Sequence, residues 1–296
     1  MKDIFYFNVN YKCNNMCRFC FSHNVGSERG EMTLSSIENV LNMCSENDLV
    51  VINGGEPSLH EQLNEIIESI LSRNLYCNVY TNGRRLSEFN FRQDSIERLR
   101  FIIPIHGDRE IHDYITQVDG SYDETLKSLK YINGKYTYNI KFIVNKEMIY
   151  KNFNVYNFLT NNDLKPDEVV LARLNRTRKS KINKYEIPNH SDEKEYIKRC
   201  MNELHQFYNI CILDYPMCFI EKKWQRKINQ NELKKYGQFV YSDDKICAKK
   251  RKYLKQKLVF PECYKCDYIK LCNYLSESYD VIKLKKKTSE LVLELE

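Results

Sequence analysis

The chain has 296 residues, 42% of them hydrophobic and 29% charged, with a formal net charge of +6 and twelve cysteines. It lacks any apolar run of the roughly 18 residues a spanning helix needs, and its first residues, MKDIFYFNVNYKC, lack a signal peptide's charged start, apolar middle and cleavage site, so a cytoplasmic protein with no membrane partner is expected. Lys and Arg are dispersed rather than clustered among aromatics, which argues against a nucleic-acid partner, and the densest run, Lys283 to Lys287, reads as a solvated tail.

In chain order, Ile4 to Asn10 alternates as a strand, and Thr33 to Cys44 has helical periodicity with Ser35 and Glu38 at capping-box spacing. Leu49 to Asn53 is a short apolar strand ending in Gly54-Gly55, and Leu59 to Ser72 is an amphipathic helix. Tyr76 to Thr81 is a strand closed by Asn82-Gly83; Arg100 to Ile105 is a strand ending at His106-Gly107. Tyr122 to Asn133 reads as helix, Tyr138 to Asn145 as strand, Asn152 to Asn161 as helix and Glu168 to Leu174 as strand. Six alternating units argue for a parallel α/β sheet with helices outside it, and a full eight-unit barrel needs about 250 residues, so a partial (β/α)6 TIM-type barrel is predicted. Ligands in such sheets bind at the carboxyl ends of the strands, where the glycines and polar residues fall here.

Arg176 to His190 is polar, basic and closed by Pro188, which places a boundary near residue 190: a barrel domain over 1–190 and a C-terminal domain over 191–296. Glu193 to Tyr208 looks helical, but from Ile210 onward cysteines and aromatics replace periodicity. A small loop-rich segment of this kind is organised by metal more readily than by its own core.

A reducing cytoplasm disfavours disulfides, so clustered cysteines point to metal. Cys44 and Cys77 lie in helix-like and strand-like stretches and read as packing residues. Cys13, Cys17 and Cys20 stand together in YKCNNMCRFCF directly after the first strand. Three thiolates on one loop fix three irons of a four-iron cubane and leave the fourth open to another ligand. A zinc site, by contrast, takes four ligands and usually C-x-x-C pairs. Gly54-Gly55-Glu56-Pro57 follows the second strand, where two glycines permit close backbone approach to a ligand and a carboxylate with exposed carbonyls suits an ammonium group.

The C-x-x-x-C-x-Phe19-Cys20 pattern resembles the signature of the radical SAM superfamily over the first 175 or so residues. The resemblance implies a [4Fe–4S] cluster on Cys13, Cys17 and Cys20, with S-adenosylmethionine (SAM) chelating the open iron and its amino group held by Gly54, Gly55, Glu56 and Pro57. Thr81 and Asn82 end the third strand where the family often contacts SAM. The segment Pro104 to Thr116 resembles a stretch of radical SAM peptide- and cofactor-modifying enzymes, with His106 and Asp108 toward the barrel mouth. Asn145 and Arg173 end the fifth and sixth strands and are candidates for ribose or carboxylate contacts.

Cys263-Tyr264-Lys265-Cys266 and Cys272, with Cys218 and Cys247 upstream, resemble the auxiliary-cluster domains called SPASM and, when shortened, twitch. No cysteine follows Cys272, which departs from the full SPASM pattern and suggests one auxiliary [4Fe–4S] cluster on Cys218, Cys263, Cys266 and Cys272, with Cys247 as a substitute ligand. A structural zinc site fits the same residues. Cys200 and Cys211 are read as bystanders.

The family implies reductive SAM cleavage to a 5′-deoxyadenosyl radical and hydrogen abstraction, fed by a flavodoxin- or ferredoxin-type donor. The expected substrate is a ribosomally made peptide, cross-linked, epimerised or oxidised; the alternative is a small molecule such as a sugar or aminocyclitol, and a non-catalytic metal-binding protein is the third reading. Against the peptide, the first strand begins almost at residue 1 and leaves no room before it for a leader-recognition domain.

Overall fold

The computed structural model describes residues 3–20, 30–91, 96–174, 186–213, 215, 219 and, for the backbone, 238–242. Among these residues eight parallel strands form one sheet: β1 Ile4–Asn10, β2 Leu49–Gly54, β3 Tyr76–Tyr80, β4 Leu99–Ile105, β5 Thr137–Val144, β6 Glu168–Arg173, β7 Ile210–Leu213 and β8 Gln238–Ser242. Their order across the sheet is β7-β6-β5-β4-β3-β2-β1-β8. Each strand from β1 to β6 lies beside its successor, so the predicted α/β partial barrel stands; β7 and β8 are both edges, and the sheet is not closed.

Two of these strands extend the sheet beyond the six read from sequence. β7 pairs with β6 at Val169↔Ile210, and β8 pairs with β1 at Ile4↔Gln238. At four and five residues they are too short for periodicity to declare them. The sheet therefore continues past residue 190, where the boundary was expected.

Among the described residues seven α-helices accompany the strands: α1 Leu34–Leu41, α2 Leu63–Leu71, α3 Arg109–Thr116, α4 Ser121–Ile132, α5 Lys146–Tyr150, α6 Val155–Asn161 and α7 His190–Leu204. Their apolar stripes, among them Ile37 and Leu41, Ile66 and Ile70, Leu129 and Ile132, and Ile197 and Leu204, are buried in one core with the strand residues Phe7, Ile52, Val79, Ile103, Phe142 and Leu171. Among the described residues no helix is long and apolar enough to cross a membrane.

Local chemistry explains where the helices differ from expectation. The Ser35/Glu38 capping box is not used: Thr33, extended at φ −75°, caps α1 by accepting from the Ser36 N–H at 3.2 Å. The helix expected over Leu59 to Ser72 is broken, because the His60 ring bonds the Met32 carbonyl at 2.9 Å and accepts from the Gln62 N–H at 3.1 Å, so a 3-10 turn at Pro57–Leu59 precedes α2. Helix α3 was not anticipated, since its sequence REIHDYIT is polar; its N-cap Asp108 accepts from the Ile111 N–H at 3.0 Å, so that carboxylate caps a helix.

The strands' other face is polar. Alternation puts Tyr6, Asn8, Asn53, Asn78, Tyr80 and Lys141 opposite the core side, and none of them is fully buried. Desolvation by the surrounding strands pushes the Tyr80 phenol on β3 up to about 12, and Tyr6 on β1, Cys211 on β7 and Glu168 on β6 lie close enough to add to the rise. In a flat sheet β3 and β7 would stand about 19 Å apart, so the sheet curls around this polar face.

Candidate functional site

The three cysteines of the first loop follow directly on β1. Cys13 is exposed, Cys17 and Cys20 are half-buried, and all three are free thiols. They lie near enough to one another to interact electrostatically. Desolvation by the surrounding protein raises the Cys13 thiol and pushes Cys17 up to about 12, its neighbours Cys20 and Cys13 adding to the rise; iron binding at these sulfurs would therefore displace protons. The Asn15 N–H donates to the Cys13 sulfur at 3.4 Å, an arrangement suited to a thiolate ligand. Among the described residues no three His, Cys, Asp or Glu side chains converge as a single-ion site. Three soft donors on one loop, each able to take a different iron, fit a cubane cluster better than one ion.

The loop is built against β2 at van der Waals limits. A Cβ on Gly54 would stand 2.3 Å from the Asn10 carbonyl oxygen, and one on Gly55 2.1 Å from that of Lys12; Gly54 also has φ +139°. The two glycines thus bring β2 onto the cysteine loop's own backbone. Gly55 N–H donates to Asn10 O at 2.9 Å and Glu56 N–H to Lys12 O at 2.7 Å.

Glu56 is 1% exposed, and its carboxylate turns inward. It accepts from Thr81 Oγ1 at 2.5 Å, Ser58 N at 2.9 Å and Asn82 N at 2.6 Å. Burial pushes this carboxyl above the usual range, and the same donors pull it down. Pro57 opens the 3-10 turn that Glu56 caps. Thr81 and Asn82 are therefore bound to Glu56, and the Asn82 side chain continues to Asn14 Oδ1 at 2.6 Å.

Phe19, 9% exposed, meets the His106 ring edge-on at 5.1 Å. His106 is buried at the end of β4 with its Nδ1 lacking a hydrogen-bond partner, and burial, helped by His112 and Lys141, drives its pKa well down, so the ring is neutral. Asn145 donates to the carbonyls of His106 at 2.9 Å and Ile143 at 3.2 Å and accepts from the Met148 N–H at 3.0 Å, capping α5. Its remaining capacity toward a cofactor is one lone pair. Arg173 stands apart: at the end of β6 its Nε meets Glu193 at 3.3 Å, both side chains deeply buried, with the guanidinium 5.3 Å from the Phe219 ring.

The ends of β1 to β5 thus bring Cys13, Cys17, Cys20, Phe19, Gly54 to Pro57, Thr81, Asn82, His106 and Asn145 into one region, while Arg173 joins α7. Cys218, Cys247, Cys263, Cys266 and Cys272 lie outside the described residues. Cys77 and Cys200 are buried in the core and Cys44 packs against it. Sequence reasoning missed Asn14, Asn15, Arg18, Arg84 and Gln117, which brace the cysteine loop. Arg18 pairs with Glu186 at 2.7 Å and lies 4.2 Å over the Tyr114 ring; Met16 N–H and Arg18 N–H donate to the carbonyls of Thr116 and Ile115, each at 2.9 Å.

Residues 7–144 match the family model described as the radical SAM superfamily. The chain is 26% identical over 137 residues to the antilisterial bacteriocin subtilosin biosynthesis protein AlbA of Bacillus subtilis (strain 168), covering 43% of this chain and 30% of AlbA. It spans between 30% and 49% of the length of the curated relatives it matches. In fold it is similar to Streptococcus suis SuiB bound to precursor peptide SuiA, with TM-score 0.60 and 15% identity over 81% of this chain and 57% of that one. It is also similar in fold to anSMEcpe with bound AdoMet and the Cp18Cys peptide, with TM-score 0.64 and 19% identity over 92% and 87% of the two chains.

Proposed function

We propose, from the match of residues 7–144 to the radical SAM superfamily model, whose members use a [4Fe–4S] cluster and SAM, that the chain cleaves SAM reductively and uses the radical to abstract hydrogen from a ribosomally made peptide. The observation that carries the cleavage is the loop of three neighbouring free thiols, pressed against β2 by Gly54 and Gly55. When bound, cluster and SAM supply one-electron scission of the sulfonium bond and a 5′-deoxyadenosyl radical. Cys13, Cys17 and Cys20 would hold the iron, and the backbone from Gly54 to Pro57 would take the SAM amino group. The inward Glu56 carboxylate fixes that backbone through Thr81 and Asn82 rather than by reaching outward. Phe19 and the neutral His106 wall the site against water.

The peptide reading draws on AlbA, a bacteriocin biosynthesis protein, and on fold neighbours solved with peptides. The polar inner face supports it: Tyr80 is 40% exposed there, with the Lys141 ammonium 5.8 Å over its ring, next to Asn8, Asn53 and Asn78. Such side chains stack with and hydrogen-bond peptide groups. We assign Cys218, Cys263, Cys266 and Cys272 to one auxiliary cluster in the C-terminal part of the chain, beyond β7, and electron supply to a flavodoxin- or ferredoxin-type donor.

The test is anaerobic turnover with dithionite, SAM and synthetic precursor peptides encoded beside the gene. Peptide-dependent 5′-deoxyadenosine with a mass change in the peptide supports the reading. 5′-Deoxyadenosine whose formation responds to a sugar or aminocyclitol and to no peptide overturns the substrate class. No 5′-deoxyadenosine from iron-replete protein overturns the activity.

A further inference from the structure

Between Cys13 and Cys17 the loop carries Asn14 and Asn15, and both are gripped by Arg84. Its Nη1 donates to the Asn14 carbonyl and to Asn15 Oδ1, the latter at 2.9 Å, and its Nε donates to Glu124 Oε2 at 2.5 Å. The Arg84 side chain is only 12% exposed. Asn15, 4% exposed, presents two amides to the ligand sulfurs: its backbone N–H donates to Cys13 at 3.4 Å, and its side chain lies near enough to Cys17 to favour the thiolate. With Oδ1 held by Arg84, the Asn15 side-chain donor left over is its amide nitrogen, on a side chain that lies near Cys17.

We propose that Arg84 is a positioning residue for the cluster: acting through Asn15, it aims amide N–H groups at the Cys13 and Cys17 sulfurs and thereby sets how firmly the loop holds iron and how readily the bound cluster takes up an electron. The inference rests on the cluster reading above. Amide donors stabilise negative charge on thiolate sulfur, and reduction adds negative charge there, so these bonds favour both iron binding and the reduced state. The rigid planar fork spans these three acceptors with fixed donor directions, whereas a lysine's three donors sit on one compact, freely rotating ammonium. Glu124 keeps the fork from rotating.

The experiment compares Arg84→Met, Arg84→Lys and Glu124→Gln with wild type as full chains reconstituted anaerobically. Iron retention under chelator challenge and the cluster's midpoint potential, followed by electron paramagnetic resonance, are the readouts; thermal melting without iron reports folding. Arg84→Met is expected to lose about tenfold to a hundredfold in iron affinity and to shift the midpoint negative. Glu124→Gln is expected to shift it the same way by less, and Arg84→Lys to leave the shift uncorrected. Wild-type affinity and potential in folded Arg84→Met overturn the proposal, as does full rescue by lysine. Should Arg84→Met melt early, an unshifted potential in both Arg84→Lys and Glu124→Gln overturns it. A wild-type chain that takes up no iron overturns the cluster reading instead.

Discussion

The Thr81 hydroxyl donates to the Glu56 carboxylate at 2.5 Å across the ends of β3 and β2, with Glu56 1% exposed and Thr81 4%. The bond joins two of the loops that surround the cysteines. Glu56→Gln and Thr81→Val should each destabilise the chain by about 1–3 kcal/mol, because each leaves a buried polar partner short of a bond. In urea titrations the double variant should cost less than the sum. Additive costs would mean that the two side chains act independently.

Gly55 tolerates no side chain. A Cβ there meets the Lys12 carbonyl at 2.1 Å, so Gly55→Ala must push the cysteine loop off β2, at about 1–3 kcal/mol for the overpacking. Gly30→Ala, with nothing within 4 Å of the added carbon, is the control. We expect Gly55→Ala to lose reconstituted iron while Gly30→Ala keeps it; equal iron contents would detach the glycine pair from the cluster loop.

Motifs whose meaning is local were legible in the sequence. Three cysteines in one loop and two glycines after a strand declare themselves within a few residues, and the apolar runs of β1 to β6 gave the α/β order. Glu56 was found, but its partners Thr81 and Asn82 lie 25 and 26 residues away, so its inward turn was not. Arg84 after Asn82-Gly83 reads as an ordinary surface residue, and only the fold carries it to a loop 69 and 70 positions upstream. Helix α3 escaped because its polar sequence forms around the Asp108 cap and the Asp113 carboxylate, which accepts from Ser121, Gly120 and Tyr122.

His112 makes the apo fold acid-sensitive. Burial lowers it from 6.5 to about 4, helped by the Arg84 charge and opposed by Asp113. A folded-state value below the unfolded one means that the unfolded chain binds the extra proton first, so stability is full above pH 6.5 and is lost as pH falls toward 4, on the order of 3 kcal/mol at full extent. His106 acts in the same direction, whereas the raised Glu56 acts in the opposite one. His112→Asn retains an acceptor for the His106 N–H, 3.4 Å away in the native chain, and should flatten the decline in Tm between pH 6.5 and 4.5. An unchanged slope would place the sensitivity elsewhere.

The most direct test of the central claim is iron and sulfide per chain after anaerobic reconstitution, for wild type and for the triple variant Cys13→Ala, Cys17→Ala, Cys20→Ala. About eight irons and eight sulfides are expected in wild type, falling by about four of each in the variant as the N-terminal cubane is lost and the C-terminal one stays. An iron content that the triple substitution leaves unchanged contradicts the claim that this loop holds a cluster.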